Sequence, residues 1–112
     1  MALRSSPKIA LKSLSPTELY YNIAVRFTWD AKKAKSNLKK HGVSFETAST
    51  AFDDPMAAYY PDALSNDRFI LLGFFAKQRV LYVVFAEVQA DAIRIISARK
   101  ATKYEKDHYE ND

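Results

Sequence analysis

Apolar and polar residues alternate through Val25-Arg26-Phe27-Thr28-Trp29, a pattern that predicts a half-buried strand. Asp30 follows at an N-cap position, where its carboxylate can accept from the free amides of a helical turn. The spacing then predicts a helix over 31–41 with a narrow apolar stripe of Ala31, Ala34 and Leu38. Gly42 stands at the C′ position, because glycine enters the left-handed conformation without steric cost. Ser44 caps a second helix through 52, with Phe45, Ala48, Ala51 and Phe52 on its buried side, and Asp53-Asp54-Pro55 ends it.

Residues 56–60 predict a short strand, and 61–67 a polar, acidic turn. Three stronger strands are expected over 68–75, 79–87 and 92–99, joined by the hairpin-length segments 76–78 and 88–91. The run RVLYVVFAE is apolar on both faces, the mark of a central strand covered on both sides. Thr102 and Glu105 match a capping box that opens a last helix running to about residue 109. Residues 1–24, punctuated by Ser-Ser-Pro and Ser-Leu-Ser-Pro, read as a flexible or loosely docked extension with a helical turn over 17–21. The expected domain, residues 25–112, is α+β. Its order is β-α-α-β-β-β-α with 56–60 as an added short strand, and an antiparallel sheet packs against two N-terminal helices and one C-terminal helix.

Charge sharpens this outline. The chain has 17 basic and 13 acidic residues, a net charge of +4. Five lysines and no acid fall within 32–40, five acids and no Lys or Arg within 44–67, and five basic residues against one acid within 94–106. Two basic blocks flanking an acidic one favour a polyanionic partner if the fold joins them; solvated helix faces are the plainer alternative. The absence of cysteine excludes disulfides and thiolate metal sites. No apolar run is long enough for a signal peptide or a bilayer span, so a soluble, cytoplasmic protein is expected.

The chemistry on offer is limited to charge stabilisation and proton transfer. The two histidines, His41 and His108, belong to no cluster with metal-ligand spacing, and two glycines cannot build a phosphate loop. No metal or other cofactor is expected. Cleaving RNA without a metal asks for little more, since the 2′-hydroxyl is the nucleophile and the protein positions the phosphate and moves protons. Arg68 and Arg79 open successive antiparallel strands and should lie at opposite ends of that pair. Arg79 and Arg99 should meet at one edge as a phosphate clamp, or else serve in surface ion pairs. Strict alternation puts Arg94 on the face opposite Arg99. His41 falls beside Ala34 and Leu38, where a half-buried structural ring competes with a proton shuttle. Tyr104 is expected in the core, and Tyr109, near the chain end, is expected to be freer.

Taken together, FTWDAKKAKSNLKKHGVSFETA, RFILLGF and IRIISARKATKYEKDHYE resemble the BrnT family of toxins from type II toxin–antitoxin modules. The shared pattern is an aromatic-x-Trp-Asp strand end, a helix closing on N-x-x-K-H-G-V, an F-x-x-A helix, and I-I-S-A-R before a basic, tyrosine-ended helix. The likeness covers residues 25–112. It implies a RelE/ParE-like fold and a metal-independent ribonuclease that halts translation. It also implies a ribbon-helix-helix antitoxin (BrnA-like) in a complex with two copies of each chain, which reaches operator DNA only through the antitoxin. The residues expected to carry the activity are Arg79, Arg99, His41 and Tyr109 as catalytic groups, with Lys33, Lys40, Arg68, Lys100 and Lys103 on RNA. RNA would then lie across the first and last helices and the Arg79/Arg99 edge. The rival readings are a toxin of this fold that inhibits a protein such as DNA gyrase, and an inactive subunit whose surplus apolar strand surface docks an antitoxin.

Overall fold

The computed structural model describes residues 25–75, 79–89 and 91–111. The expected N-terminal extension, the 17–21 turn and the 76–78 hairpin loop lie outside them. The element order is β1 (Arg26–Thr28), α1 (Ala31–His41), α2 (Phe45–Thr50), a 3-10 turn (Ala51–Asp53), β2 (Ala58–Pro61), β3 (Phe69–Phe75), β4 (Arg79–Gln89), β5 (Ala92–Lys100) and α3 (Lys103–Asn111). Among the described residues no helix is long and apolar enough to cross a membrane.

The helix boundaries follow their local signals. Asp30 accepts the Lys33 N–H at 3.0 Å and Ser44 accepts that of Thr47 at 3.0 Å, so each satisfies an amide that has no partner inside its helix. Gly42 takes φ +74° and donates its N–H to the Leu38 carbonyl, closing α1 as expected. Thr102 and Glu105 make both bonds of the capping box: the Glu105 N–H reaches Thr102 Oγ1 at 3.1 Å and the Thr102 N–H reaches Glu105 Oε1 at 2.8 Å.

The sheet has the five expected strands, in the order β1-β5-β4-β3-β2, and corrects the expectation in one respect: it is mixed rather than antiparallel, because β1 pairs in parallel with β5. Strands β2 to β5 form a sequential antiparallel meander, and the chain must pass through α1, α2 and three strands before β5 returns beside β1. The chain reverses direction four times between β1 and β5, an even number, so the two strands run parallel. The expected central position of RVLYVVFAE holds, since β4 lies in the middle of the sheet.

Both faces of the meander are covered. Leu71, Leu81, Val83 and Phe85 point toward α1 and α2 and join Phe45, Ala48, Ala51 and Phe52 in the main core. The alternate residues Ile70, Leu72 and Val80 are also buried, at 9%, 1% and 5% exposure, on the face that α3 crosses. Most of the apolar surplus of β3 and β4 is thus used on two sides, while Phe74 and Val88 stay 40% and 50% exposed.

The expected apolar stripe on α1 is only partly present. Ala34 packs against the core, but Ala31 is exposed and Leu38 is 49% exposed. The buried residue is Asn37, at 7%. Strand β1 pairs with β5 only as far as Arg94, and beyond it the Ala98 backbone faces α1. Asn37 Nδ2 donates to the Ala98 carbonyl at 2.8 Å and to the Val43 carbonyl at 3.0 Å, and its Oδ1 accepts the Ala98 N–H at 3.1 Å. One side-chain amide therefore substitutes for the missing strand partner and fixes the turn after α1 to the sheet.

Candidate nucleic-acid interface around the C-terminal helix

The strand register decides which basic residues can act together. Leu81 pairs with Lys100 and Tyr82 with Arg99, so Lys100 and Arg79 share the Leu81 face while Arg99 lies on the Tyr82 face. The Arg79/Arg99 clamp is accordingly not formed. A β-bulge at Ile96 also shifts the parity of β5: Phe85 pairs with Ile95, but Val84 with Ser97. Arg94 therefore shares a face with Arg99 instead of opposing it.

Arg79, Lys100 and Lys106 meet where β4 begins, β5 ends and α3 starts. With Val80 and Ala101 they line a notch of about 160 Å³ that has three cations and no acid in its walls. Farther along the same flank of α3, Phe74, Val80, Lys106, Tyr109 and Glu110 line a depression of about 350 Å³. Across α3, Tyr60, Leu72, Tyr82, Tyr104, Glu105 and His108 line a groove of about 200 Å³.

Arg99 holds the beginning of α3. Its guanidinium bonds Glu105 through both carboxylate oxygens, at 2.8 and 2.9 Å, donates to the Lys100 carbonyl at 3.1 Å and lies 3.8 Å from the centre of the Tyr82 ring. The hydrogen bonds from Arg99 hold the Glu105 carboxyl below the usual glutamate range, and Glu105 in turn raises the Arg99 guanidinium. A carboxyl depressed in the folded state adds stability above its unfolded pKa and loses it as pH falls through the folded value. Wild-type stability should thus fall more steeply on acidification than that of Glu105→Gln. The difference should be on the order of 1 kcal/mol, since both side chains are partly solvated. Urea midpoints measured from neutral to acid pH check this, and parallel profiles would contradict it.

The far end of α3 is held by Tyr109. Its hydroxyl donates to Asp54 Oδ2 at 2.6 Å, and the same oxygen accepts the Phe74 N–H at 2.7 Å. Burial first, then the bond to Asp54, push the Tyr109 hydroxyl above the ordinary tyrosine range. Tyr109 is therefore half-buried and engaged, not free. Tyr104 departs in the other direction: it is 80% exposed and packs beside His108 rather than in the core.

The other expected contacts are scattered. Arg68 and Arg79 lie at opposite ends of the β3–β4 pair, as the hairpin geometry requires. This takes Arg68 away from the notch. Lys33 and Lys40 are exposed on α1, and α1 packs on the other layer from α3, so the first and last helices do not form one surface. His41 is half-buried at the end of α1 and lines neither the notch nor the groove. Lys103 is exposed on the first turn of α3. Among the described residues no group of three or more His, Asp or Glu is placed to hold a metal ion.

The domain is thus a mixed α+β fold with a cationic notch and an aromatic groove on two flanks of its last helix. The family described as "Ribonuclease toxin, BrnT, of type II toxin-antitoxin system" matches residues 29–105, and the chain belongs to that family. It is similar to the crystal structure of the Brucella abortus ribonuclease toxin, BrnT. The two are 29% identical with a TM-score of 0.62, over 71% of this chain and 100% of the other. No curated protein matches the chain.

Proposed function

We propose that this chain is a toxin that cleaves RNA without a metal ion and thereby halts translation in the cytoplasm. The observation that carries this reading is the notch of Arg79, Lys100 and Lys106, three cations gathered at one strand end with no acid in the walls. A phosphodiester placed there would have its negative charge matched as the 2′-hydroxyl of the preceding nucleotide attacks in line. That hydroxyl gives up its proton to form a 2′,3′-cyclic phosphate, while the bond to the next nucleotide's 5′-oxygen breaks and that oxygen takes up a proton. Arg79 supplies a planar fork suited to two phosphate oxygens, and the lysines supply point charges. Arg99 and Tyr109 act as positioning residues: one fixes the start of α3 through Glu105, the other its far end through Asp54, and Lys106 is carried between them.

Family membership supports an antitoxin partner. The resemblance in sequence extends this to a RelE-like fold and a ribbon-helix-helix antitoxin in a complex with two copies of each chain, with operator DNA bound through the antitoxin.

Growth arrest on induction tests the notch. Arg79→Ala and Lys100→Ala should each weaken toxicity, and the double variant should abolish it. Removing a single charge-stabilising donor typically costs roughly 100-fold or more in rate. Both side chains are exposed, so thermal unfolding should show the variants folded. Full toxicity of the folded double variant would contradict the assignment.

A further inference from the structure

We propose that the groove lined by Tyr60, Tyr82, Tyr104 and His108 is a subsite for one unpaired nucleobase, which confines cleavage to single-stranded RNA. This rests on the RNA-cleaving reading above and adds to it where the strand lies and what it must look like.

Tyr104 is 80% exposed on the flank of α3, so its ring contributes little to the core. Its plane lies within 11° of the His108 ring, with centroids 6.4 Å apart, and Tyr60 adjoins His108 at 6.2 Å. The three rings border one concavity of about 200 Å³ whose floor includes Leu72, at 1% exposure, and Tyr82. Planar, apolar walls open to solvent on one side suit a flat aromatic ring, and every base has such a face.

The charges around the groove suit a nucleic acid better than an apolar protein side chain. Glu105, the one acid in the lining, has its carboxylate bonded by Arg99 and by the Thr102 amide, so its charge is compensated. On the same helix the exposed Lys103 and Lys106 are balanced by the exposed Asp107 and Glu110, so the net positive charge that draws a strand is that of the notch on the opposite flank of α3. A helix with its side chains is about 10 Å across. A strand whose phosphate sits in the notch can cross the start of α3 and drop a base into the groove within a few nucleotides. A base inside a duplex must first be unpaired and unstacked, at a cost in free energy, whereas an unpaired base is free to splay out.

The probe is a short 2′-O-methyl oligoribonucleotide, which lacks the attacking hydroxyl, with one 2-aminopurine whose fluorescence falls when it stacks. Binding to the wild-type protein should quench the signal. Tyr104→Ala should lose the quench and bind roughly tenfold or more weakly, while Tyr104→Phe, which keeps the ring, should behave as wild type. An RNA hairpin should be cut in its loop and spared in its stem. Wild-type binding and quenching by Tyr104→Ala would overturn the subsite, and the RNA reading would stand if Arg79→Ala/Lys100→Ala still abolished cleavage. Loss of antitoxin neutralisation in Tyr104→Ala, with RNA binding and quenching unchanged, would likewise overturn it and assign the groove to a protein partner. A wild-type protein that neither binds nor cuts any RNA would remove the RNA reading and the subsite together.

Discussion

Asn37→Leu should destabilise the protein by about 3 to 5 kcal/mol. The substitution conserves approximate size but strands the Ala98 N–H and the Ala98 and Val43 carbonyls, all three bonded by the Asn37 amide in a buried setting. Each buried backbone group left without a partner costs about 1 to 3 kcal/mol, offset where the structure relaxes to admit water. Against a total stability of about 5 to 15 kcal/mol the loss is severe. Asn37→Asp should be no better, because it keeps an acceptor for the Ala98 N–H but turns both donor contacts into a carboxylate facing carbonyls. Urea denaturation with an unchanged slope measures the effect. A loss below 1 kcal/mol would show that another group serves the open edge of β5.

The second large effect is expected at Gly73. A Cβ built there would lie 2.6 Å from the Ala51 carbonyl oxygen and 3.1 Å from the Ala51 Cβ, so the 3-10 turn would have to retreat from β3. That turn carries Phe52, which is fully buried, and leads into Asp54, which holds both the Phe74 amide and the Tyr109 hydroxyl. Gly73→Ala should therefore cost about 2 to 3 kcal/mol, and Gly73→Val more, through overpacking against backbone that has no rotamer to change. The loosening should extend to α3, exposing the Tyr109 hydroxyl and weakening toxicity beyond the loss in stability. A Gly73→Ala protein with the wild-type melting temperature would contradict the close approach.

What the sequence made legible was local. Asp30, Gly42, Ser44 and Thr102 announce helix ends because each satisfies backbone groups within its own turn. The strands of the meander and the central place of β4 follow from their apolar runs. The misjudged features are all set by distant partners. Nothing near β1 says that it will lie parallel to β5. The bulge at Ile96 cannot be read from an apolar strand, yet it moves Arg94 to the face of Arg99. Asn37 looks like one more polar residue on a lysine-rich helix until the Ala98 backbone appears beside it, 61 residues later in the chain. Within the family motif N-x-x-K-H-G, the asparagine turns out to hold the turn to the sheet, while the histidine ends the helix.

The candidate site shows the same division. Arg79 was legible as a strand-end cation and Lys100 as an expected RNA contact, but their grouping with Lys106 depends on how α3 folds back over β4. Tyr60 and Tyr82 looked like ordinary strand residues, and only that return turns them into the walls of a groove. An ion pair for Arg99 was one of the two expected readings, but its partner was out of view, because the capping box by itself accounts for Glu105.

The most direct test of the account is to incubate purified protein with deproteinised total RNA in the presence of EDTA and compare it with the Arg79→Ala/Lys100→Ala variant. The wild-type protein should give defined fragments, and the folded variant should leave the RNA intact. Intact RNA with the wild-type protein, or equal fragmentation by the variant, would contradict it.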